Sequence, residues 1–139
     1  MSLRDDLAVV LARDPRYTFP AYLFVFEALE HAKNLKKKAM GRAKRGRSGE
    51  QAQTRHVNPR ELCEAARDLA LRQYGFLALG LLARWGIRST SDLGEIVFNL
   101  IASGDLEKTS SDSRTDFDDV YDFETAFRAD FVHATDEDA

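Results

Sequence analysis

The chain has one cysteine, Cys63, so no internal disulfide can form. Its three histidines, His31, His56 and His133, are widely separated, which leaves a structural zinc site short of ligands. No metal and no cofactor is expected. A reducing cytoplasm is the simplest compartment for such a composition. No apolar run approaches the length of a membrane span; the longest lie around Tyr22 to Phe26 and Phe76 to Ala83. The first residues lack the pattern of a signal peptide, because Arg4, Asp5, Asp6, Arg13 and Asp14 interrupt the apolar positions. A soluble protein without a membrane partner is expected. Phe, Tyr and Trp are missing from residues 32 to 60, which disfavours base stacking by that stretch.

What is present is a charge that changes sign along the chain. Residues 31 to 60 hold ten Lys/Arg against the single acid Glu50, whereas residues 89 to 139 hold fourteen Asp/Glu against Lys108, Arg114 and Arg128. The net charge of -3 conceals this polarity. Each half can attract a partner, or the other half.

A chain of 139 residues fits a single domain, 1–139, with one core. Leu3, Leu7, Val10 and Leu11 predict a short amphipathic helix ending before Arg16, and Tyr22, Val25, Phe26 and Leu29 predict a second from about Pro20. Residues 41–56, rich in Gly, Arg, Lys, Ser and Gln, read as a flexible basic loop. A linker between two domains is the other option, but the preceding piece is too short to support a core easily. Asn58 and Pro59 start a helix over 59–73, as cap and first helical residue. Gly75 interrupts or kinks it. Phe76 to Trp85, apolar nearly all round, reads as the buried centre. Leu93, Ile96, Val97, Leu100 and Ile101 then predict a helix over 91–103 closed by Gly104. Beyond it, residues 105–123 read as a β-hairpin, followed by a helix carrying Phe123, Phe127 and Phe131, and a frayed acidic tail, 134–139. The expected fold class is mainly α with a small C-terminal β-hairpin, and its C-terminal half has the element order of a winged-helix module.

No catalytic constellation stands out. Gly41 to Ser48 has the spacing of a phosphate-binding P-loop but carries Arg47 in place of Lys and lacks a strand before it. An EF-hand-type calcium loop from Asp112 fails at Arg114, Phe117 and Phe123. Cys63 falls mid-helix, where a small buried residue is the usual role. Glu61, Glu64 and Asp68, and likewise Glu95 and Asn99, read as solvent-facing helix residues rather than acid–base pairs. The winged-helix surface lacks DNA-reading chemistry, since residues 90–104 hold no Lys or Arg and Asp112, Asp116, Asp118, Asp119 and Asp122 would repel phosphate.

The chain resembles a family of small bacterial proteins from planctomycete and verrucomicrobial genomes. The likeness rests on Arg16-Tyr17, Ala21 to Leu29, His56-Val57, Glu61-Leu62-Cys63, Gln73-Tyr74-Gly75, Trp85-Gly86-Ile87, Gly94 to Leu100, Lys108-Thr109, Asp116-Phe117 and Tyr121-Asp122-Phe123. It implies one recurring unit from about Arg16 to Phe127 and brings no activity, ligand or catalytic residue. The favoured function is a non-enzymatic interaction or adaptor protein with a protein partner. The runner-up is a nucleic-acid or ribosome-associated protein contacting phosphate through residues 33–47. In either case the candidate binding residues are Lys36, Lys37, Lys38, Arg42, Lys44, Arg45 and Arg47. A small enzyme is a third, weaker reading.

Overall fold

A computed structural model describes residues 3–43, 57–106 and 113–127. Among the described residues five α-helices carry the fold: α1 (Leu3–Arg13), α2 (Phe19–Ala43), α3 (Pro59–Tyr74), α4 (Ala78–Arg84) and α5 (Thr90–Ser103). A 3-10 turn, Gly75–Leu77, separates α3 from α4, and another, Arg114–Phe117, follows α5. Residues 123–127 form a last helical turn.

Local chemistry sets the starts of the helices. Asn58 Oδ1 accepts from the Glu61 backbone N–H at 2.8 Å, and Glu61 Oε1 accepts from the Asn58 N–H at 2.9 Å, a reciprocal cap that satisfies two donors at the start of α3. At α5, Ser89 Oγ accepts from the Asp92 N–H while the Asp92 carboxylate accepts from the Arg88 N–H at 2.9 Å.

The ends are equally specific. α4 closes with Gly86 N–H donating to Ala83 O and Ile87 N–H to Leu82 O, so Gly86 takes φ +102° and the following Ile87 is driven into the core.

The core is built chiefly on the α2–α3 pair. Ala21, Tyr22, Phe24, Val25 and Ala28 of α2 meet Leu62, Cys63, Ala66 and Ala70 of α3, with Leu93, Ile96 and Leu100 of α5 completing the interior. Small residues at the core positions of α3 allow close helix approach. Phe117, Phe123 and Phe127 close one side, and Tyr121 OH donates to Cys63 O at 2.6 Å.

Three expectations are corrected. No strand forms among the described residues, so the predicted hairpin and winged-helix order do not stand. Residues 107–112 of that prediction lie outside the described residues. In 113–127 the polar side chains compete with strand pairing for the backbone. Asp116 accepts from the Ser113 N–H, the Val120 N–H donates to Thr90 Oγ1, Asp122 accepts from Thr125, and Asp119 adopts φ +52°. The second correction concerns Phe76 to Trp85. Ala78 and Leu82 are buried, but Phe76 and Leu77 are exposed, because Gly75 and the 3-10 turn rotate the chain before α4 begins. α2 also continues through Ala43, into the stretch expected to be loop; residues 44–56 lie outside the described residues.

Candidate functional site

The basic candidates fall into three groups. Lys37 and Lys38 project from the exposed surface of α2, Arg42 lies on the same helix, and Lys44, Arg45 and Arg47 lie outside the described residues. Lys36 differs from its neighbours. It is half-buried and its Nζ is 3.1 Å from Glu61 Oε1, the same oxygen that caps α3. One lysine of the cluster is thus engaged in holding α2 against the start of α3. Farther along, His31 Nε2 lies 2.7 Å from Asp68 Oδ2, which also accepts from Arg72 Nε at 2.8 Å.

The acidic half forms a second polar assembly, at the junction of the α1–α2 loop with α5 and the Arg114 turn. Asp14 accepts from Arg16 Nε at 2.8 Å and from Asn99 Nδ2 at 2.9 Å. Asn99 Nδ2 also donates to Tyr22 OH at 3.1 Å. Arg16 reaches on to Glu95 at 3.0 Å, and the other Glu95 oxygen meets Arg114 at 3.0 Å. Asp118 lies 3.5 Å from Arg114 and accepts from Ser91 Oγ at 2.6 Å. Beneath this layer, the buried Tyr17 donates its hydroxyl to Asp92 at 2.6 Å.

Glu95 and Asn99 are therefore not the solvent-facing pair expected from helical spacing. Their partners in the α1–α2 region lie more than seventy residues away in sequence, as with Arg16 to Glu95 and Tyr22 to Asn99.

The electrostatics are those of a structural clasp. The Arg16 hydrogen bonds hold the Asp14 carboxyl well below the usual carboxylate range, and Asp14 and Glu95 raise the Arg16 pKa in return. Burial, helped by the Asp92 carboxylate, pushes the Tyr17 phenol up. Burial pushes the Cys63 thiol up to about 12, which removes the thiolate that nucleophilic catalysis at neutral pH requires. Among the described residues no group of three or more His, Cys, Asp or Glu side chains is placed to hold a metal ion. No helix among them is long and apolar enough to cross a membrane.

The depressed Asp14 pKa gives the clasp a defined pH response. An unfolded aspartate titrates near ~3.9, so the contribution of Asp14 is complete above that value and is lost as pH falls through the lower folded value. Asp14→Asn is expected to be less stable than the wild type at pH 7 and to lose less further stability between about pH 4 and pH 2. Urea unfolding followed by circular dichroism across that range checks this; parallel pH profiles would show that Asp14 makes no such contribution.

Comparison with known proteins returns no match: no family model, no curated protein and no solved structure corresponds to this chain.

Proposed function

We propose that the chain is a non-enzymatic protein–protein interaction domain, an adaptor working in the cytoplasm, whose partner meets the cations of the distal half of α2 and the basic residues after it. The observation that carries this reading is the reach of α2 beyond the core. Among the side chains described, Ala32 is the last buried one of α2, yet the helix continues to Ala43, a further ~16 Å at 1.5 Å per residue. Lys33, Lys37 and Lys38 are exposed there, beside Leu35, which is 40% exposed. Cations near a helix C-terminus favour the helix dipole, which accounts for one or two of them but not for the whole run on to Arg47. An exposed leucine amid lysines suits a protein surface bearing acids around an apolar patch better than it suits a phosphate backbone. Nucleic acid contacted through residues 33–47 is the competing reading, which needs only the charge.

The test uses the full chain and a variant with Lys37, Lys38, Arg42, Lys44, Arg45 and Arg47 changed to Gln, leaving Lys36 to hold Glu61. Capture from native lysate is run with and without nuclease, at low and high salt. A protein that co-purifies with the wild type, survives nuclease and is lost with the variant supports the adaptor. Bound material removed by nuclease, with binding that falls steeply as salt rises, supports nucleic acid instead. Equal capture by wild type and variant overturns both.

A further inference from the structure

Among the described residues, no hydrogen bond or ion pair reaches Lys33, Lys37 or Lys38 of distal α2, and all three are exposed. Residues 31–43 contain no Asp or Glu. Glu27 and Glu30 stand earlier on the helix and pair with none of the three. Glu61 and Glu64, in the first two turns of the neighbouring α3, already face Lys36 and Arg60. Leu35 lies between these lysines, partly open to water. One segment of the same chain has the converse chemistry. Residues 128–139, which lie outside the described residues, hold Asp130, Asp136, Glu137 and Asp138 against Arg128, with Phe131 and Val132 between the acids. Several acids that precede this segment are committed elsewhere: Asp116 and Asp122 close turns, and Asp118 meets Arg114 and Ser91.

The geometry brings the two within reach. α2 and α3 run antiparallel, since His31 meets Asp68 and Lys36 meets Glu61. Arg67 Nε donates to Ala126 O at 3.4 Å, so the last described turn lies beside Arg67, six residues or ~9 Å along α3 from Glu61. α2 packs one helix spacing away, ~10 Å. From Phe127, the four residues to Phe131 span up to ~14 Å and the nine to Asp136 up to ~31 Å. We propose that residues 128–139 dock in cis on distal α2, with Asp136, Glu137 and Asp138 against Lys33, Lys37 and Lys38, and with Phe131 and Val132 over Leu35. Exposed ion pairs are weak singly, so the tether matters: a short link gives an effective concentration of about millimolar. The same segment of a second copy has no such advantage. An acidic partner from outside would have to displace the tail, which makes the contact autoinhibitory. The inference shares the α2 surface with the adaptor reading, but the contact forms whether or not an outside partner exists.

The experiment places a nitroxide on the full chain at Thr135→Cys, Cys63 being buried from the reagent, and follows paramagnetic broadening of the amides in an isotope-labelled sample. Amides 33–39 are expected to broaden at about 20 mM salt, and the effect to fall about threefold or more at about 0.5 M as the charges are screened. Lys37→Glu with Lys38→Glu should remove it to a similar extent. Adding Asp136→Lys, Glu137→Lys and Asp138→Lys to that pair should restore it, because the signs are then exchanged. An equal mixture of isotope-labelled chain without nitroxide and nitroxide-bearing chain without isotope should show no broadening of these amides. The salt series uses the unaltered α2 surface, so it decides the matter even if the Lys→Glu pair perturbs the helix. The proposal is overturned if amides 33–39 stay sharp, if salt or charge reversal leaves the broadening unchanged, or if the exchanged signs do not restore it. Equal broadening in the mixed sample also overturns it, by making the contact one between copies. Because the measurement is made on the chain alone, failure of capture from lysate leaves it untouched, and failure here leaves the adaptor reading to its own test.

Discussion

Gly86→Ala is expected to be among the most damaging single-methyl additions in this protein, costing about 3 kcal/mol or more. Two effects add. At φ +102° an L side chain is strained, at about 1–2 kcal/mol, and the new Cβ would collide with the Arg16 carbonyl oxygen and crowd the Tyr17 ring, a packing penalty of about 1–3 kcal/mol. The obstacle is backbone, so no rotamer change relieves it. Nor can the backbone easily retreat: Thr18 N–H donates to Trp85 O at 3.2 Å, and the Arg16 guanidinium is fastened to Asp14 and Glu95. Gly75→Ala is the internal control, because Gly75 also has positive φ, at +56°, but open space around its Cβ. Urea midpoints for the two variants should differ clearly. A Gly86→Ala protein no less stable than Gly75→Ala would mean that the α1–α2 loop does not press on the end of α4.

Phe117→Ala should also cost about 3–5 kcal/mol, the usual penalty for emptying a buried phenylalanine site. More informative is what it does to Gly94. A Cβ at Gly94 would sit 2.7 Å from both Cβ and Cγ of Phe117, so Gly94→Ala in the wild type is expected to destabilise by about 1–3 kcal/mol. Truncating Phe117 to Ala removes the Cγ and ring contacts but leaves its Cβ 2.7 Å from the new methyl, so the clash is relieved only in part and the cost of Gly94→Ala should shrink. Gly94→Ala is thus expected to cost less in the Phe117→Ala background than in the wild type. A double-mutant cycle by urea unfolding measures that coupling. Additive effects would mean that the Arg114–Phe117 turn does not rest on α5.

The features legible in the sequence were those governed by neighbours in the chain. The Asn58 start of α3, the apolar stripe of α5 from Leu93 to Leu100 and the burial of Cys63 follow from caps and helical period, and the structure has all three. The helical spacing of Phe123 and Phe127 was also visible, but not the turns that lead into it. Alternation from Phe117 to Phe123 resembles a strand pattern, whereas Ser113, Asp116 and Asp122 satisfy the local N–H groups with side chains and fold the segment into turns. Phe76 and Leu77 were assigned to the interior on composition alone; the rotation imposed by Gly75 is a matter of three residues' dihedral angles. Among the candidate binding residues, Lys36 and Lys37 look alike in sequence, because the distinguishing partner of Lys36, Glu61, lies on another helix. The Asp14, Arg16, Glu95 and Arg114 clasp was hidden for the same reason.

The oxygen shared by Lys36 and the Asn58 N–H joins two events that would otherwise be independent. A ligand that draws Lys36 away leaves Glu61 to its own helix, and anything that loosens the first turn of α3 weakens its hold on Lys36. By reciprocity of linkage, occupancy at the tip of one helix and fraying at the root of the other must report on each other.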